Sequence, residues 1–555
     1  MLGTGRGRSL LVMIVARAAA ALPPRTVMRR VGKALAATLG AAVLTVPFAA
    51  AWGIGHAHID DYLGPHRATF SANYDGEVKL DLGPIGNAYL PSPAAPIGLG
   101  ITVGEVGAAG ESLTTLFSDQ TLAAYAGLYA EPREAVGGVV ERLQIDALKR
   151  SLLAEAALLA LFAIWALRRQ LWSPWLIGHI SRRRVVTAYI AVTALVLGSI
   201  LVPRETDGIR IPVGVAYGTR FTNLTVDNAL LADLLNRGIK GVRLLTERQQ
   251  RRVRTYIDKT NTSLASQSAR LPRPRPGETM IMGFGDLHCN RAMTELITRL
   301  ERATSPAAVL SSGDDTLNGT AMERGCIRRE AKITERVPFV VAGGNHDSEV
   351  TEAQMRSDGI SVLDGAVLDG GPVQVLGDDD PEYNNLSGDR NSGREESPEQ
   401  VAERLVRVAA GRRVDVILVH KPEAAAVIMK TPDAPARLVL WGHLHAEEGP
   451  AVIMHQDGSW TVGMQQGTAG GVRVDYTYLG TPFSPPLISA DVYFYFRDDA
   501  TGLITGVQPV HFLPQAKVVI AKRIATGDLA RLPAQTRIQL GGGTPTPTVT
   551  GTPAR

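Results

Sequence analysis

The chain has 555 residues, of which 45% are hydrophobic and 20% are charged, and its formal net charge is +4. This length allows two or three domains, and the composition excludes a chain that is disordered along most of its length. The charge is nevertheless distributed unevenly, because the first 33 residues contain seven Arg or Lys and no acidic residue.

Three apolar stretches before residue 204 predict membrane-spanning helices, each close to the ~20 residues that cross a bilayer. We place them at residues 34–54, 151–168 and 185–203. Residues 1–33 and the loop 169–184 are basic and lack acids, so the positive-inside rule puts both in the cytoplasm. The sequence therefore predicts a multi-pass plasma-membrane protein whose remaining chain lies outside the cytoplasm.

The start of the chain leaves one alternative open. The three alanines at residues 49–51 resemble the small-residue site at which a signal peptide is cleaved, although the basic region before the first apolar stretch is long for a signal peptide. Cleavage there would not change the side of the membrane on which the later residues lie.

Residues 55–150 carry twelve acids and six bases, which favours an extracytoplasmic position between the first two spans. Alternating polar and apolar residues at 75–82 predict a small β-rich module, and two helices are expected at 112–128 and 132–148. Three histidines near the first span are compatible with a metal site or with a solvated loop, and the lack of carboxylates at matching spacing favours the loop. These are His56, His58 and His66.

Residues 204–278 are predicted to form an extracytoplasmic connector with a strand at 209–218 and one or two amphipathic helices at 228–264. The basic residues at 248–254 could contact nucleic acid or form a solvated helix face. No aromatic residue is interleaved among them, so we favour the solvated face and expect no stable nucleic-acid partner. A proline-rich linker at 271–276 ends the connector.

Five short polar clusters mark residues 279–525. Apolar runs there alternate with predicted helices at 292–303, 321–335 and 397–410, as in a layered α/β domain. Each cluster follows a predicted strand, at 280–284, 307–310, 337–342, 414–419 and 438–441. Carboxylates, imidazoles and amide oxygens at strand ends are ligands suited to a pair of divalent metal ions, which Asp314 would bridge. The clusters contain Asp286 and His288; Asp314; Asn345, His346 and Asp347; His420; and His443 and His445.

The order of these clusters, Asp-x-His, Gly-Asp, Gly-Asn-His-Asp, His and Gly-His-x-His, resembles the motifs of calcineurin-like metallophosphoesterases, here of a membrane-anchored bacterial type. The resemblance implies two packed sheets flanked by helices, with the metals at the strand ends. It also implies two ligand sets. Asp286, His288, Asp314 and His445 would hold one ion, and Asp314, Asn345, His420 and His443 would hold the other.

The resemblance further implies that His346 is the catalytic general acid. Some family members orient this histidine with a second acid three residues after the bridging aspartate, but this chain has Leu317 there. Asp347 is the nearest candidate for that orienting role, although a neighbour in sequence can point the other way.

The implied activity is hydrolysis of phosphomonoesters or phosphodiesters by metal-activated hydroxide, with two divalent ions that are Mn, Fe or Zn. The substrate could be a lipid, an envelope polymer or a nucleotide. The alternative is a non-catalytic metal-binding receptor or scaffold that keeps the fold. The presence of all seven ligands and His346 favours the enzyme.

The only two cysteines, Cys289 and Cys326, are predicted to form a disulfide, since the expected compartment is oxidising; two buried free thiols are the alternative. The loops at 378–400 and 467–471 could shape a substrate pocket or be plain surface turns. Residues 526–555 end in a stretch rich in Gly, Thr and Pro and are expected to form a disordered tail.

Overall fold

The structure is a computed structural model that describes residues 25–63, 66–104, 132–171, single residues between 187 and 198, 208–214, 223–384, 394–431, 436–473, 484–527 and 537–538. The predicted helix at 112–128, nearly all of the cytoplasmic loop and most of the C-terminal tail lie outside these residues. Within the tail that was expected to be disordered, Arg537–Ile538 forms a short strand that pairs with Val452 and Ile453.

The longer helices are mostly in the first half of the chain and the shorter ones in the second. In the described residues they are α1 Arg25–Gly55, α2 Pro132–Leu171, α3 Ala229–Ser266, α4 Arg291–Thr304, α5 Arg324–Glu330, α6 Glu349–Ser357, α7 Pro398–Ala409 and α8 Pro422–Lys430. Asn228 caps α3, because its side chain accepts a hydrogen bond from Leu231 N at 2.8 Å.

Strands in the described residues form three sheets. They are β1 His58–Leu63, β2 His66–Asn73, β3 Glu77–Asp81, β4 Asn87–Pro91, β5 Gly98–Val103, β6 Ile211–Pro212, β7 Thr225–Val226, β8 Glu278–Phe284, β9 Ala308–Ser311, β10 Phe339–Val341, β11 Ser361–Val362, β12 Leu368–Asp369, β13 Gln374–Gly377, β14 Val416–Leu418, β15 Leu438–Trp441, β16 Glu448–Met454, β17 Trp460–Gln465, β18 Ala490–Asp498, β19 Ile504–Phe512, β20 Val518–Ile520, β21 Ile524–Ala525 and β22 Arg537–Ile538.

The first sheet occupies the region of the expected β-rich module. Its order is β1-β2-β5-β3-β4-β7-β6, so β6 and β7 from the predicted connector complete it. The N-terminal half of α2 covers one face, where Val139 and Leu143 pack with Phe70 and Ile101. We call this sheet together with residues 132–150 of α2 the N-terminal module.

One helix among the described residues, at Thr38–Gly55 in α1, is long and apolar enough to cross a membrane. The second predicted span lies within α2, which is 40 residues long, and the third is described only at single residues. The predicted three-helix membrane region is therefore not supported as a whole. A single apolar helix near the N-terminus is also compatible with the signal-peptide alternative.

The larger domain has four layers. One sheet has the order β11-β10-β9-β8-β18-β19-β20, with β21 beside β19, and the other has the order β12-β13-β14-β15-β17-β16-β22. Apolar side chains from both sheets form the central core, including Ile281 and Leu310 from one and Leu418 and Leu440 from the other. This arrangement agrees with the layered α/β fold expected from the sequence.

Helices cover the outer face of each sheet. Helices α3 to α6 pack on the sheet that contains β8 and β18, where Met282 and Phe494 contact Leu296 of α4. Helices α7 and α8 pack on the other sheet, which contains β14 and β15, and there Ile417 contacts Leu405. Strands β8 to β10 in one sheet and β14, β15 and β17 in the other run parallel within their sheets, so each group brings its carboxyl ends to one edge.

Candidate metal centre

The predicted ligands lie in the loops that leave five parallel strands. Asp286 and His288 follow β8, Asp314 follows β9, and Asn345 follows β10. The remaining histidines follow two strands of the second sheet: His420 comes after β14, and His443 and His445 come after β15. The two sheets pack face to face, and all seven side chains meet at one edge of the domain.

The side chains form two donor groups that share Asp314. Asp286, His288, Asp314 and His445 offer ligand atoms that all lie within 4.8 Å of one another, and so do Asp314, His420 and His443. His288 Nε2 is 3.0 Å from His445 Nε2, and His420 Nε2 is 3.2 Å from Asp314 Oδ2. The amide oxygen of Asn345 lies 3.0 Å from His420 Nε2, which adds it to the second group.

Five of these ligands have left-handed backbone conformations, which L-residues rarely adopt. Their φ angles are Asp286 54°, His288 46°, Asp314 55°, His443 74° and His445 54°. Such strain persists only where the surroundings enforce it. Here the loops after β8 and β9 are joined by backbone hydrogen bonds, from Asp286 N to Gly313 O at 2.7 Å and from His288 N to Asp314 O at 2.9 Å.

Two glycines allow the backbone to approach the carboxylates. A Cβ on Gly344 would lie 2.2 Å from Asp314 Oδ1, and a Cβ on Gly442 would lie 2.4 Å from Asp286 Oδ2. The two carboxylates therefore occupy the space that a side chain at either glycine would need. The Gly-Asn and Gly-His steps of the motifs are thus required by close packing as well as by the ligands that follow them.

The donor chemistry fits a pair of divalent cations. Burial and the nearby His445 lower the pKa of His288 to about 3, and burial together with His420 lowers the pKa of His443 to about 4. Both imidazoles are therefore neutral at neutral pH, which is the form that binds a cation. The buried His288 Nδ1 has no hydrogen-bond partner among the described residues.

The charges at the shared carboxylate are set by its histidine neighbours. Burial opposes ionisation of Asp314, but His420 and His346 hold its pKa well below the usual range. Burial likewise disfavours charge on His420, yet Asp314 outweighs burial and raises the pKa of His420 to about 10. His420 and Asp314 thus form a close polar contact, and His420 would bind a cation as the neutral imidazole.

His346 lies beside the donor groups, with its ring centroid 5.2 Å from that of His288. Its Nδ1 is 3.0 Å from the backbone carbonyl oxygen of Leu317. A carbonyl can only accept, so this contact places a proton on Nδ1 and leaves Nε2 as the ring nitrogen available to a substrate. The residue that replaces the expected second acid thus orients the histidine through its main chain.

Asp347 does not contact the His346 ring in the described structure, in contrast to the orienting role expected for it. Its carboxylate accepts hydrogen bonds from Thr316 N at 2.9 Å, Thr316 Oγ1 at 2.8 Å and Gly344 N at 2.9 Å. Asp347 therefore ties the loop after β9 to the loop after β10. Adjacent side chains in this turn point in different directions, which is why sequence proximity misled the assignment.

Two supporting groups were not identified from the sequence. Glu323 accepts hydrogen bonds from Leu317 N at 2.7 Å and Thr320 N at 2.8 Å, and burial raises its pKa to about 7. The spacing Thr320-x-x-Glu323 is a capping-box signature that could have revealed it. Thr468 Oγ1 donates to Asp286 O at 2.7 Å, so the loop 467–471 braces the ligand backbone.

The structure joins Cys289 and Cys326 in a disulfide, with their Cα atoms 5.4 Å apart. This bond connects the loop that carries His288 to helix α5. It lies beside the candidate metal centre, at the edge where strands β8 to β10 end.

Comparisons with known proteins identify the family of this domain. The family model for calcineurin-like phosphoesterases matches residues 279–447, and no curated protein sequence matches the chain. A solved NAD nucleotidase of Haemophilus influenzae is similar over 45% of this chain and 50% of its own length, with 13% identity and a TM-score of 0.26. The chain thus spans half the length of that protein.

Two further solved structures match over most of their own length. A phosphatase of Mycoplasma pneumoniae covers 44% of this chain and 94% of its own, with 11% identity and a TM-score of 0.29. A metallophosphoesterase from Sphaerobacter thermophilus covers 45% and 89%, with 14% identity and a TM-score of 0.19. The family model, rather than these distant structures, identifies the domain. Residues 279–447 belong to the calcineurin-like phosphoesterase family, and the chain therefore carries a metallophosphoesterase domain.

Proposed function

We propose that this protein is a membrane-anchored metal-dependent phosphoesterase that hydrolyses phosphomonoester or phosphodiester bonds. The observation that carries the proposal is the convergence of two donor groups on the shared carboxylate of Asp314, beside His346. Seven candidate ligands and a candidate proton donor meet at one edge of the domain. A receptor that had lost activity would not need this full set.

The two cations would be Mn, Fe or Zn, because the donor set mixes four imidazoles with carboxylates. When bound, they would supply Lewis acidity that lowers the pKa of a water molecule and offsets charge on the phosphoryl oxygens. Asp286, His288 and His445 would hold one cation, and Asn345, His420 and His443 the other. Asp314 would contribute to both.

His346 would donate the proton that the leaving oxygen needs. Its Nδ1 hydrogen bond to Leu317 O fixes the ring, so that Nε2 is the atom that exchanges a proton with the substrate. Proton donation of this kind contributes typically ~10²- to 10⁴-fold to a rate. The effect should be largest for substrates whose leaving group is a poor one.

Membrane attachment is supported by contacts among the three predicted spans. Helix α2 packs against α1, where Thr45 Oγ1 donates to Glu155 Oε1 at 2.8 Å. Tyr189, in the third predicted span, donates to Leu44 O at 3.0 Å. The Thr45–Glu155 contact pairs two partly buried polar groups between largely apolar helices, as expected in a bilayer. Large apolar side chains in the predicted spans are exposed, namely Leu39, Val43, Leu152, Leu153, Leu161 and Ile190.

The catalytic domain would then lie outside the cytoplasm. The basic N-terminus supports this orientation by the positive-inside rule, and the disulfide supports it because such bonds persist in oxidising compartments. A reporter enzyme fused after Leu540 is expected to be active only when exported. Activity of a cytoplasmic reporter at that position would contradict this orientation.

Hydrolysis by the full chain in detergent tests the proposed activity. Chromogenic phosphodiesters and phosphomonoesters are offered with and without added Mn, followed by a phospholipid, an envelope polymer containing phosphodiesters and a nucleotide. We expect metal-dependent hydrolysis that a chelator abolishes. Binding of Mn without hydrolysis of any substrate in the panel would instead favour the receptor.

A further inference from the structure

The N-terminal module contacts the catalytic domain at the turn Ala321–Glu323. Ala321 is fully buried and belongs to the hydrophobic core of the module, together with Val139 and Leu143 of α2. Gly138 lies so close to this turn that a Cβ added to it would sit 1.9 Å from Ala321 O. The turn is therefore packed as part of the module, although it belongs to the catalytic domain in sequence.

A buried carboxylate of the module holds the same turn. Asp61, at 9% exposure, accepts a hydrogen bond from Arg142 Nη1 at 2.6 Å and another from Ala321 N at 3.2 Å. Both bonds end on Oδ2, while Oδ1 accepts from Tyr62 N at 2.8 Å. The Asp61 side chain is buried although Arg142 is partly exposed, so loss of a partner would leave a buried carboxylate oxygen unsatisfied.

The turn is linked to His346 by a short series of hydrogen bonds. The carboxylate of Glu323 binds the backbone N–H groups of Leu317, Asn318 and Thr320, at 2.7, 3.2 and 2.8 Å. The carbonyl of Leu317 in turn orients the His346 ring. The peptide that fixes the proton donor is thus held by the turn that the module holds.

We propose that the N-terminal module positions His346, with Asp61 and Gly138 as positioning residues that act through Ala321 and Glu323. The proposal rests on the proposed function of His346 as proton donor. Its physical basis is the sensitivity of catalysis to placement, since a displacement of 1 Å can cost ~10²-fold in rate. The catalytic domain would then be incomplete without the module.

Two adjacent glycines of α2 provide a matched test in the full chain. Gly138→Ala puts a methyl group against Ala321 O, whereas Gly137 has open space around its Cβ position, so that Gly137→Ala changes only helix propensity. Each variant is loaded with Mn and assayed with phosphodiesters that differ in leaving group. Metal content is measured in parallel.

We expect Gly138→Ala to keep two metal ions per chain and to lower kcat ~10-fold or more for the poor leaving group, with a smaller loss for the good one. Gly137→Ala should match the wild type. In a His346→Ala background, Gly138→Ala should cause no further loss, because both substitutions remove the same contribution. Equal losses for both leaving groups, or additive effects in the double variant, would overturn the proposal.

Asp61 gives an independent comparison if Gly138→Ala fails to fold. Asp61→Asn keeps an oxygen for Ala321 N, whereas Asp61→Leu removes it, so the asparagine variant should retain more activity on the poor leaving group. If the ratio of kcat for the poor leaving group to kcat for the good one equals that of the wild type in both variants, the proposal is overturned. An inactive wild type, or a His346→Ala variant without leaving-group dependence, would instead refute the proposed function on which it rests.

Discussion

The ring of His346, the proposed proton donor, is oriented by a main-chain atom. The Leu317 carbonyl accepts a hydrogen bond from His346 Nδ1 at 3.0 Å. This contact fixes the orientation of the ring. The orientation of this proposed proton donor therefore depends on the position of the loop after β9, which carries Leu317.

Removal of the His346 ring should separate metal binding from chemistry. His346→Ala is expected to keep its metal content near that of the wild type, because no predicted ligand is lost. Turnover should fall by ~10² or more with a poor leaving group. Steady-state rates with a series of aryl phosphodiesters measure this. Losses that do not vary with the leaving group would argue against proton donation by His346.

The left-handed backbone of the ligands predicts an unusual response to glycine. At an ordinary position glycine is less stable than alanine by about 0.5 to 1 kcal/mol. At His445, where φ is 54°, an alanine would keep the strain of about 1 to 2 kcal/mol that glycine avoids.

We therefore expect His445→Gly to be at least as stable as His445→Ala in the metal-free protein. Both variants lose the same ligand, so they form a matched pair in a denaturant titration. If His445→Gly were instead less stable than His445→Ala by about 0.5 to 1 kcal/mol, the backbone at this residue would relax once the imidazole is absent.

Residue identity and order predicted a cluster of carboxylates and imidazoles at the strand ends, and the structure brings these side chains together. Their role as metal ligands stays a prediction. The orienting group could not be predicted, since a carbonyl is present at every residue and only the fold selects one. Asp347 shows the opposite case. Its chemistry suited the expected role, but its hydrogen bonds to Thr316 and Gly344 assign it to the scaffold.

At the scale of elements, the disulfide fastens helix α5 to the loop after β8. Cys289 and Cys326 close a loop of 37 residues, which in the chain-entropy model stabilises the fold by ~3 to 4 kcal/mol. Both linked segments border the site, because Cys289 follows His288 and α5 follows the turn at Ala321. The bond should therefore stabilise the site as well as the domain.

Reduction tests this contribution. A reductant should lower the thermal midpoint of the wild type and have no effect on a Cys289→Ser, Cys326→Ser double variant, whose midpoint should already be low. Alkylation and mass measurement on protein taken from the membrane check the pairing. Two thiols labelled before reduction would contradict it.

Strand and helix positions in the catalytic domain followed closely from periodicity, because its buried parallel strands are short apolar runs with polar ends. The predicted helix at 397–410 is α7 Pro398–Ala409, capped by Ser397. The predicted helix at 321–335 was too long, since the structure has the turn Ala321–Glu323 followed by α5 Arg324–Glu330. No local pattern in this stretch reveals that Ala321 packs into another domain.

For the molecule as a whole, the sequence indicated separate pieces where the structure has a continuous assembly. Strands β6 and β7 join the N-terminal sheet, although they follow the predicted third span. Helix α2 contacts α1 through Glu155 and the catalytic domain through Gly138. One helix thus links the apolar helices to the turn that supports His346. The residues that make these contacts are far apart in the sequence, so composition and spacing could not predict them.

Metal content and activity of Asp314→Asn, measured together on the full chain, test the central claim most directly. The claim is that one carboxylate serves both cation sites. An amide is a poor bridge between two cations, so we expect the variant to bind fewer than two metal ions per chain and to lose most of its phosphoesterase activity. A variant that kept two metal ions and turned over at nearly the rate of the wild type would contradict it.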